Sequence, residues 1–177
     1  MFIKKIKYFY FIENFNLKEL EKIKKNQNLH IIYYYTKDSN FKDILLLASY
    51  SKKNRIKFYI SNYSQKFSNI KVSGIHIPST NKKKVFNLKN GFEIIGTAHN
   101  QIEFYIKKNQ GCNIVFLSPI FKTQKYSDNK ILGISRFKLI SKYWKIPILA
   151  LGGIKEKNYN NLGNLKIYGV GTASYFK

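Results

Sequence analysis

The chain has 177 residues, of which 32 are Lys or Arg and only 9 are Asp or Glu, giving a formal charge of +23. This length suits a single domain with a sizeable core, and because no apolar run reaches eighteen residues, no membrane span is expected. The one cysteine, Cys112, excludes an internal disulfide framework and indicates a reducing compartment, so we expect the protein in the cytoplasm.

Eight short apolar runs, rich in β-branched and aromatic residues, recur along the chain. Runs of this length, bounded by polar or turn-forming residues, are typical of β-strands that are buried on both faces. The predicted strands are Ile6–Ile12, Leu29–Tyr35, Ile56–Ile60, Val72–Ile77, Phe92–Ala98, Asn113–Leu117, Pro147–Leu151 and Ile167–Thr172.

The segments between these strands carry apolar residues at helical spacing. The clearest patterns cover residues 17–25, 41–53, 101–109 and 135–144, and weaker ones cover 61–69 and 81–90. Strands that alternate with helices predict a parallel sheet, because a parallel pair needs a crossover connection. Eight such units predict an α/β fold, a compact (β/α)8 TIM barrel. This barrel would occupy residues 1–177 as one domain and end just after strand eight.

Two adjacent glycines, Gly152 and Gly153, directly follow the seventh predicted strand and precede a polar segment that can begin a helix. This arrangement can leave backbone N–H groups open to an anion, or it can simply be a tight turn. All ten glycines and all three prolines fall at or after Gly74, several of them at strand ends. Since ligands bind at the carboxyl ends of barrel strands, we expect the ligand-facing structure in the second half.

Six motifs in the second half occur at the ends of predicted strands. They are GIHIP (Gly74–Pro78), GTAHN (Gly96–Asn100), LSPIFKT (Leu117–Thr123), Leu132 with Gly133, IPILALGGI (Ile146–Ile154) and YGVGTAS (Tyr168–Ser174). In order and spacing they resemble thiamine phosphate synthase and its TenI-type relatives. The first half of the chain matches that family only in its layout.

The resemblance implies a barrel that holds a thiazole phosphate and, in the synthases, joins it to a pyrimidine that has lost its pyrophosphate. The ligands expected are therefore small phosphorylated thiazoles and pyrimidines. By this resemblance the phosphate lies against Gly152, Gly153, Gly171, Thr172, Ala173 and Ser174, and the glycine pair leaves room for it. Thr97, His99, Pro119, Ile120 and Thr123 fall on the family's substrate-binding segments.

Several of these residues also have a purely structural interpretation. A lone histidine at a strand end is often a hydrogen-bonded structural residue, which applies to His99, and His76 fits a strand interior. Ser174 can be a turn residue, and Pro119 can serve only to shape its loop. These interpretations stay open on the sequence alone.

The first half departs from the family pattern where the pyrophosphate and its metal would bind. Tyr33 and Tyr35, at the end of predicted strand two, stand at the family's Gln and Arg positions, and only Lys37 remains of that motif. Asn62 and Asn81 stand at two family Asp positions, so the Mg²⁺ that the resemblance implies loses two negative ligands. Lys37, Lys122 and Lys125 would supply the positive charge instead.

Three functions are compatible with the sequence. The first is a transferase of the synthase type with a weakened pyrophosphate site, and the second is a non-catalytic protein that binds thiazole phosphate or thiamine phosphate. A TenI-type tautomerase is not favoured, because Pro119 stands where such enzymes carry a histidine. The third is nucleic-acid binding, which the scattered positions of the 30 lysines and the presence of only two arginines do not favour. No feature of the sequence indicates an oligomeric state.

Overall fold

The structure, a computed structural model, describes residues 6–25, 28–83, 92–124 and 130–173. Its eight strands pair in parallel and in chain order into a closed barrel, which confirms the predicted fold. The strands are β1 Lys7–Ile12, β2 Leu29–Tyr34, β3 Phe58–Ser61, β4 Gly74–Ile77, β5 Glu93–Ala98, β6 Ile114–Leu117, β7 Ile148–Leu151 and β8 Gly169–Thr172.

In the described part of the chain, five α-helices lie outside the barrel: α1 Leu17–Lys25, α2 Phe41–Lys53, α3 Gln101–Asn109, α4 Gly133–Lys142 and the single turn α5 Glu156–Tyr159. The side chains of Asn40 and Asn100 cap the first turns of α2 and α3. The weak pattern over residues 61–69 forms only the 3₁₀ turn Gln65–Phe67. Most of the weak pattern over 81–90 lies outside the described residues.

Three clusters of buried residues form the core. One fills the barrel and includes Phe9, Ile32, Tyr59, Phe116 and Leu149. The other two lie between the sheet and the helices, one over β1–β3 and one over β4–β8. Strand residues therefore alternate between the barrel interior and the outer core, which explains the continuous apolar runs in the sequence.

The amino-terminal end of the barrel is closed by polar side chains. Lys57 forms an ion pair with Glu93, and the Tyr59 hydroxyl donates a hydrogen bond to Glu93 Oε2 at 2.5 Å. His30 lies beside them, with its ring centroid 4.9 Å from that of Phe9. With this end filled, the carboxyl end remains as the mouth. None of the helices in the described part of the chain is long and apolar enough to cross a membrane.

Candidate functional site at the barrel mouth

The ends of β7 and β8 lie side by side at the mouth. Leu151 pairs with Gly171 in the parallel ladder, so the residues that follow each strand continue next to one another. The structure thus brings Gly152 and Gly153 beside Thr172 and Ala173, the segments that the sequence predicted to form one phosphate site. Ser174, the last member of that predicted set, lies outside the described residues.

The glycine pair is required by the neighbouring loop as well as by any ligand. Gly152 and Gly153 have φ of 94° and 69°, a region that favours glycine. A Cβ on Gly152 would lie 2.7 Å from Pro119 Cβ, and one on Gly153 would lie 2.4 Å from the carbonyl oxygen of Lys122. The sequence-based explanation, that the glycine pair leaves room for a phosphate, is therefore incomplete. A side chain would first displace the loop after β6.

That loop is joined to the end of β7 by backbone hydrogen bonds. Ile120 N donates to Leu151 O at 2.9 Å, and Phe121 N donates to Gly152 O at 3.0 Å. The Ile120 side chain is fully buried in the outer core over β4–β8, so its predicted contact with a substrate can come only from its backbone. Pro119, which follows a cis peptide bond, is also buried.

Thr123, further along the same loop, carries an unsatisfied polar atom. Its Oγ1 is buried and has no hydrogen-bond partner among the residues that the structure describes. A buried hydroxyl without a partner costs about 1–3 kcal/mol, which a ligand atom at this position would recover. Among the described residues, Thr123 is the predicted substrate contact whose side-chain oxygen is buried without a hydrogen-bond partner.

His99 is fixed at the end of β5 by two side-chain hydrogen bonds. Its Nδ1 lies 2.7 Å from the carbonyl oxygen of Ser118, an acceptor only, so Nδ1 carries a proton and donates. Its Nε2 lies 3.0 Å from Ser79 Oγ. His99 therefore links the loop after β4 to the loop after β6 at the carboxyl end of the barrel.

Thr97 belongs to a hydrogen-bonded row inside the barrel that the sequence did not reveal. The His76 ring lies between two hydroxyls, with Nδ1 2.9 Å from Ser61 Oγ and Nε2 2.7 Å from Thr97 Oγ1. Burial and the charge of Lys107 lower the pKa of His76 to about 3, so the ring is neutral at pH 7. The rings of Phe11 and Phe116 stand nearly perpendicular to it, with centroids 5.4 and 6.2 Å away.

The structure corrects our assignment of Tyr33 and Tyr35 to the family's ligand-facing Gln and Arg positions. Tyr33 is buried in the outer core over β1–β3, and the Tyr35 ring packs on Phe67 at the same outer side. The interior residue is Tyr34, which alternates with the interior Ile32 and pairs with Ser61. A shift of one residue exchanges the two faces of a strand, so Tyr33 and Tyr35 do not face a ligand.

The residues at the family's metal positions do not fit Mg²⁺. Asn62 has a φ of 55°, and its Nδ2 donates to the Tyr35 carbonyl at 3.1 Å. Asn81 Oδ1 already accepts a hydrogen bond from Lys83 N at 2.9 Å. Both side chains are neutral, whereas Mg²⁺ in proteins is usually held by carboxylates. Among the described residues, no three His, Cys, Asp or Glu side chains converge on a possible metal position.

The predicted cationic residues are only partly placed. Lys37 and Lys122 are exposed, and Lys122 follows Phe121 in the loop that covers Gly153. Lys125 lies outside the described residues. The structure therefore brings Lys122 to the region of the glycine pair and leaves Lys37 in solvent beyond β2.

A buried lysine that the sequence did not single out holds the loop after β4. Lys107 Nζ donates to the carbonyl oxygens of Pro78 and Asn81, at 2.7 and 2.6 Å, and to Gln110 Oε1 at 2.9 Å. Burial lowers the pKa of Lys107. Gln110 Nε2 also donates to Asn81 O at 3.1 Å. One lysine among thirty gave no signal in the sequence, because its role depends on a loop more than twenty residues away.

Sequence comparisons with known proteins indicate one family. The family model described as thiamine monophosphate synthase matches residues 17–175. A putative thiamine-phosphate synthase 2 from Aquifex aeolicus is 28% identical over 170 residues, which cover 93% of this chain and 90% of that protein. A thiamine-phosphate synthase from Prochlorococcus marinus subsp. pastoris is 29% identical over 141 residues, which cover 76% of this chain but only 40% of that protein.

Solved structures show the same fold. The thiamine phosphate pyrophosphorylase from Pyrococcus furiosus superimposes with a TM-score of 0.75, covering 97% of this chain and 87% of that one. The two sequences are only 13% identical, so this likeness concerns the fold alone. A thiamine phosphate pyrophosphorylase from Bacteroides thetaiotaomicron superimposes with a TM-score of 0.59 at 18% identity, covering 95% of this chain and 82% of that one.

Proposed function

Because this chain belongs to the thiamine monophosphate synthase family and so to thiamine biosynthesis, we propose that it joins thiazole phosphate to a pyrimidine pyrophosphate to give thiamine phosphate. The observation that carries this proposal is the pairing of Leu151 with Gly171, which places the turns after β7 and β8 side by side. Barrels often bind phosphate in these two loops.

The phosphate of the thiazole lies against the backbone of Gly152, Gly153, Thr172 and Ala173. Consecutive backbone N–H groups in turns of this kind form concave anion sites. The Thr123 hydroxyl, buried and without a partner among the described residues, donates to the same ligand from the loop after β6. Ser174 and Lys125, which the sequence also assigned to ligand binding, lie outside the described residues.

The joining step forms a bond from the thiazole ring nitrogen to the pyrimidine methylene carbon. The bond from that carbon to the pyrophosphate oxygen breaks, and its electron pair leaves with the pyrophosphate. Positive charge therefore develops on the pyrimidine, and an aromatic environment stabilises such a charge. Phe11 and Phe116 line the barrel near neutral His76, which adds no opposing positive charge. Lys37, Lys122 and Lys125 attract the pyrophosphate.

A second candidate is binding of thiazole phosphate or thiamine phosphate without turnover. The amides of Asn62 and Asn81 favour it, since they stand where the family pattern has carboxylates and do not fit Mg²⁺. This candidate uses the same phosphate site, but no pyrophosphate leaves and no thiamine phosphate forms.

A two-stage experiment separates the candidates. The purified protein is titrated with thiazole phosphate by calorimetry, and pyrimidine pyrophosphate is then added with and without Mg²⁺ while thiamine phosphate is assayed. Binding followed by product supports the synthase, and binding without product supports the second candidate. If neither thiazole phosphate nor thiamine phosphate binds in such a titration and no product forms, both are excluded. The thiazole alcohol, which lacks the phosphate, is the control ligand.

A further inference from the structure

The outer faces of α3 and α4 expose large apolar side chains to solvent. Ile102 and Tyr105 lie one turn apart on α3, and Leu139 lies one turn before Tyr143, which directly follows α4. Each of the four residues is between 56% and 75% exposed. A single exposed apolar residue is common on a folded protein, whereas a group of them on one surface marks a place that binds something.

The two helices are neighbours, so these side chains lie on one side of the barrel. α3 and α4 follow β5 and β6, which pair with each other. Trp144, the residue after Tyr143, lies against Phe104 of α3, with ring centroids 4.5 Å apart. Lys108 of α3 also lies over the Trp144 ring, with its Nζ 5.5 Å from the centroid. The α3–α4 patch is the set Ile102, Tyr105, Leu139 and Tyr143.

Basic side chains accompany the patch. Five exposed basic residues lie on the two helices or just after α4: Lys108, Arg136, Lys138, Lys142 and Lys145. The two helices contain a single carboxylate, Glu103, whose Oε2 accepts a hydrogen bond from His99 N at 2.8 Å. This side of the barrel therefore combines exposed apolar side chains with a positive charge, and a matching partner is apolar and negatively charged.

The charges argue against two kinds of protein partner. Two copies of this chain, each with a formal charge of +23, would bring both sets of basic residues together if they paired through the patch. In interfaces with other proteins, arginine is enriched and lysine is depleted. Here four of the five basic residues are lysines, so the composition does not favour a protein interface.

A membrane that contains anionic lipids offers both required properties, an apolar layer beneath a negatively charged surface. Tyrosine and tryptophan are enriched at the boundary between the two, where an apolar ring and a polar group are both satisfied. Lysine stems can lie along the apolar layer while their ammonium groups reach the lipid phosphates. The lysines elsewhere in the chain add long-range attraction to such an extended anionic surface.

We propose that the α3–α4 patch docks the protein on the surface of a membrane that contains anionic lipids, with Ile102 and Leu139 below the headgroups. The patch lies on the side of the barrel, whereas the mouth lies at its end, so docking leaves the mouth open to water. This inference does not depend on the proposed function, because no residue of the patch belongs to the site at the mouth.

Co-sedimentation with lipid vesicles tests the docking. We expect the protein to bind vesicles made of equal parts phosphatidylcholine and phosphatidylglycerol at least about tenfold more tightly than vesicles of phosphatidylcholine alone. The difference should shrink as the salt concentration rises. Failure to bind the mixed vesicles, or equal binding to both compositions, would overturn the inference.

Two double variants that keep the net charge identify the face that binds. Ile102→Ser with Leu139→Ser removes the inserted side chains and should weaken binding to the mixed vesicles by about tenfold or more. Leu45→Ser with Leu46→Ser is the matched control, because these leucines are 45% and 58% exposed on α2, three to four strands away around the closed barrel. It should change binding by less than about twofold. Equal effects of the two double variants would overturn the inference.

Trp144 reports independently on which face meets the lipid, since it is the only tryptophan in the chain. Bromine atoms on lipid acyl chains quench indole fluorescence when the two come close together. We expect mixed vesicles made with brominated phosphatidylcholine to quench Trp144 and the same vesicles without bromine to leave it bright. Binding without quenching would mean that another face meets the membrane, and the inference would fail.

Two further results would assign the patch to another partner and so overturn the inference. The first is a dimer, detected by analytical ultracentrifugation, that is lost in the variant with Ile102→Ser and Leu139→Ser. The second is that this variant binds the vesicles like the wild type but binds soluble poly(Glu,Tyr) more weakly, which would indicate an acidic protein. Circular dichroism confirms that each variant is folded before it is compared.

Discussion

Lys107 of α3 donates a hydrogen bond from Nζ to the backbone carbonyl oxygen of Asn81, 2.6 Å away. Asn81 is one of the two asparagines at the family's metal positions. Through this hydrogen bond, a buried lysine on a neighbouring helix anchors the loop that carries Asn81. The same Nζ also holds Pro78 O, three residues earlier. Lys107 therefore holds two backbone carbonyls of the described part of the β4 loop in place.

Replacing this lysine should destabilise the protein. Lys107→Met leaves the carbonyls of Pro78 and Asn81 without their shared donor, and we expect a loss of about 2–4 kcal/mol in the free energy of unfolding. Lys108→Met is the matched control, because Lys108 is exposed on the same helix and should change stability by less than about 0.5 kcal/mol. Urea denaturation measures both. Equal effects of the two substitutions would contradict the role of Lys107.

The glycine after β7 should not tolerate even a methyl group. Gly153→Ala adds a Cβ 2.4 Å from Lys122 O at a φ of 69°, so we expect a loss of about 1–3 kcal/mol. Gly163→Ala is the control, since its Cβ would lie 3.3 Å from Asn160 O at a negative φ. Thermal or urea unfolding compares the two. A tolerated alanine at position 153 would mean that the β6 loop does not approach as closely as described.

His30 should limit stability in mild acid. Its Nδ1 is buried without a partner among the described residues, and burial together with the charges of Lys7 and Lys57 lowers its pKa from 6.5 to about 4. Between these values the unfolded chain binds a proton that the folded chain does not, so stability falls as the pH drops from 6.5 toward 4.

His30→Phe removes this dependence and the unpaired nitrogen, while keeping a ring beside Phe9. We expect it to raise stability at pH 7 by about 1 kcal/mol, and by more at pH 5. Urea midpoints at the two pH values measure the difference. A shallower acid decline remains in the variant, because the pKa values of His76 and Glu93 are also lowered. An unchanged pH dependence in His30→Phe would contradict this explanation.

The two faces of β2 should respond differently to a charge. Tyr33→Arg places a cation in the outer core, and we expect a loss of about 3–5 kcal/mol or a failure to fold. Tyr34→Arg places the cation at the mouth, where Tyr34 is only partly buried, so it should cost far less. It should also increase the affinity for inorganic pyrophosphate, measured by calorimetry. The opposite ranking of stabilities would restore Tyr33 to the interior face.

The sequence predicted the barrel well because buried parallel strands are continuous apolar runs and need no long-range information to recognise. It could not predict which residues of β2 face the barrel interior, since the three consecutive tyrosines Tyr33–Tyr35 show no alternation between polar and apolar residues. The reason for the glycine pair was also hidden, because the atoms that a Cβ would meet belong to Pro119, Phe121 and Lys122, about thirty residues earlier. The bonds of Lys107 and His76 likewise depend on neighbours that only the fold brings together.

The central claim is that the backbone after β7 and β8 binds the phosphate of a thiazole phosphate. Amide proton–nitrogen NMR spectra, recorded while thiazole phosphate or the thiazole alcohol is added, test it most directly. We predict that the phosphate compound shifts the N–H signals of Gly152, Gly153, Thr172 and Ala173 most strongly and that the alcohol leaves them nearly unchanged. Shifts confined to other parts of the chain, or equal shifts with both compounds, would contradict the claim.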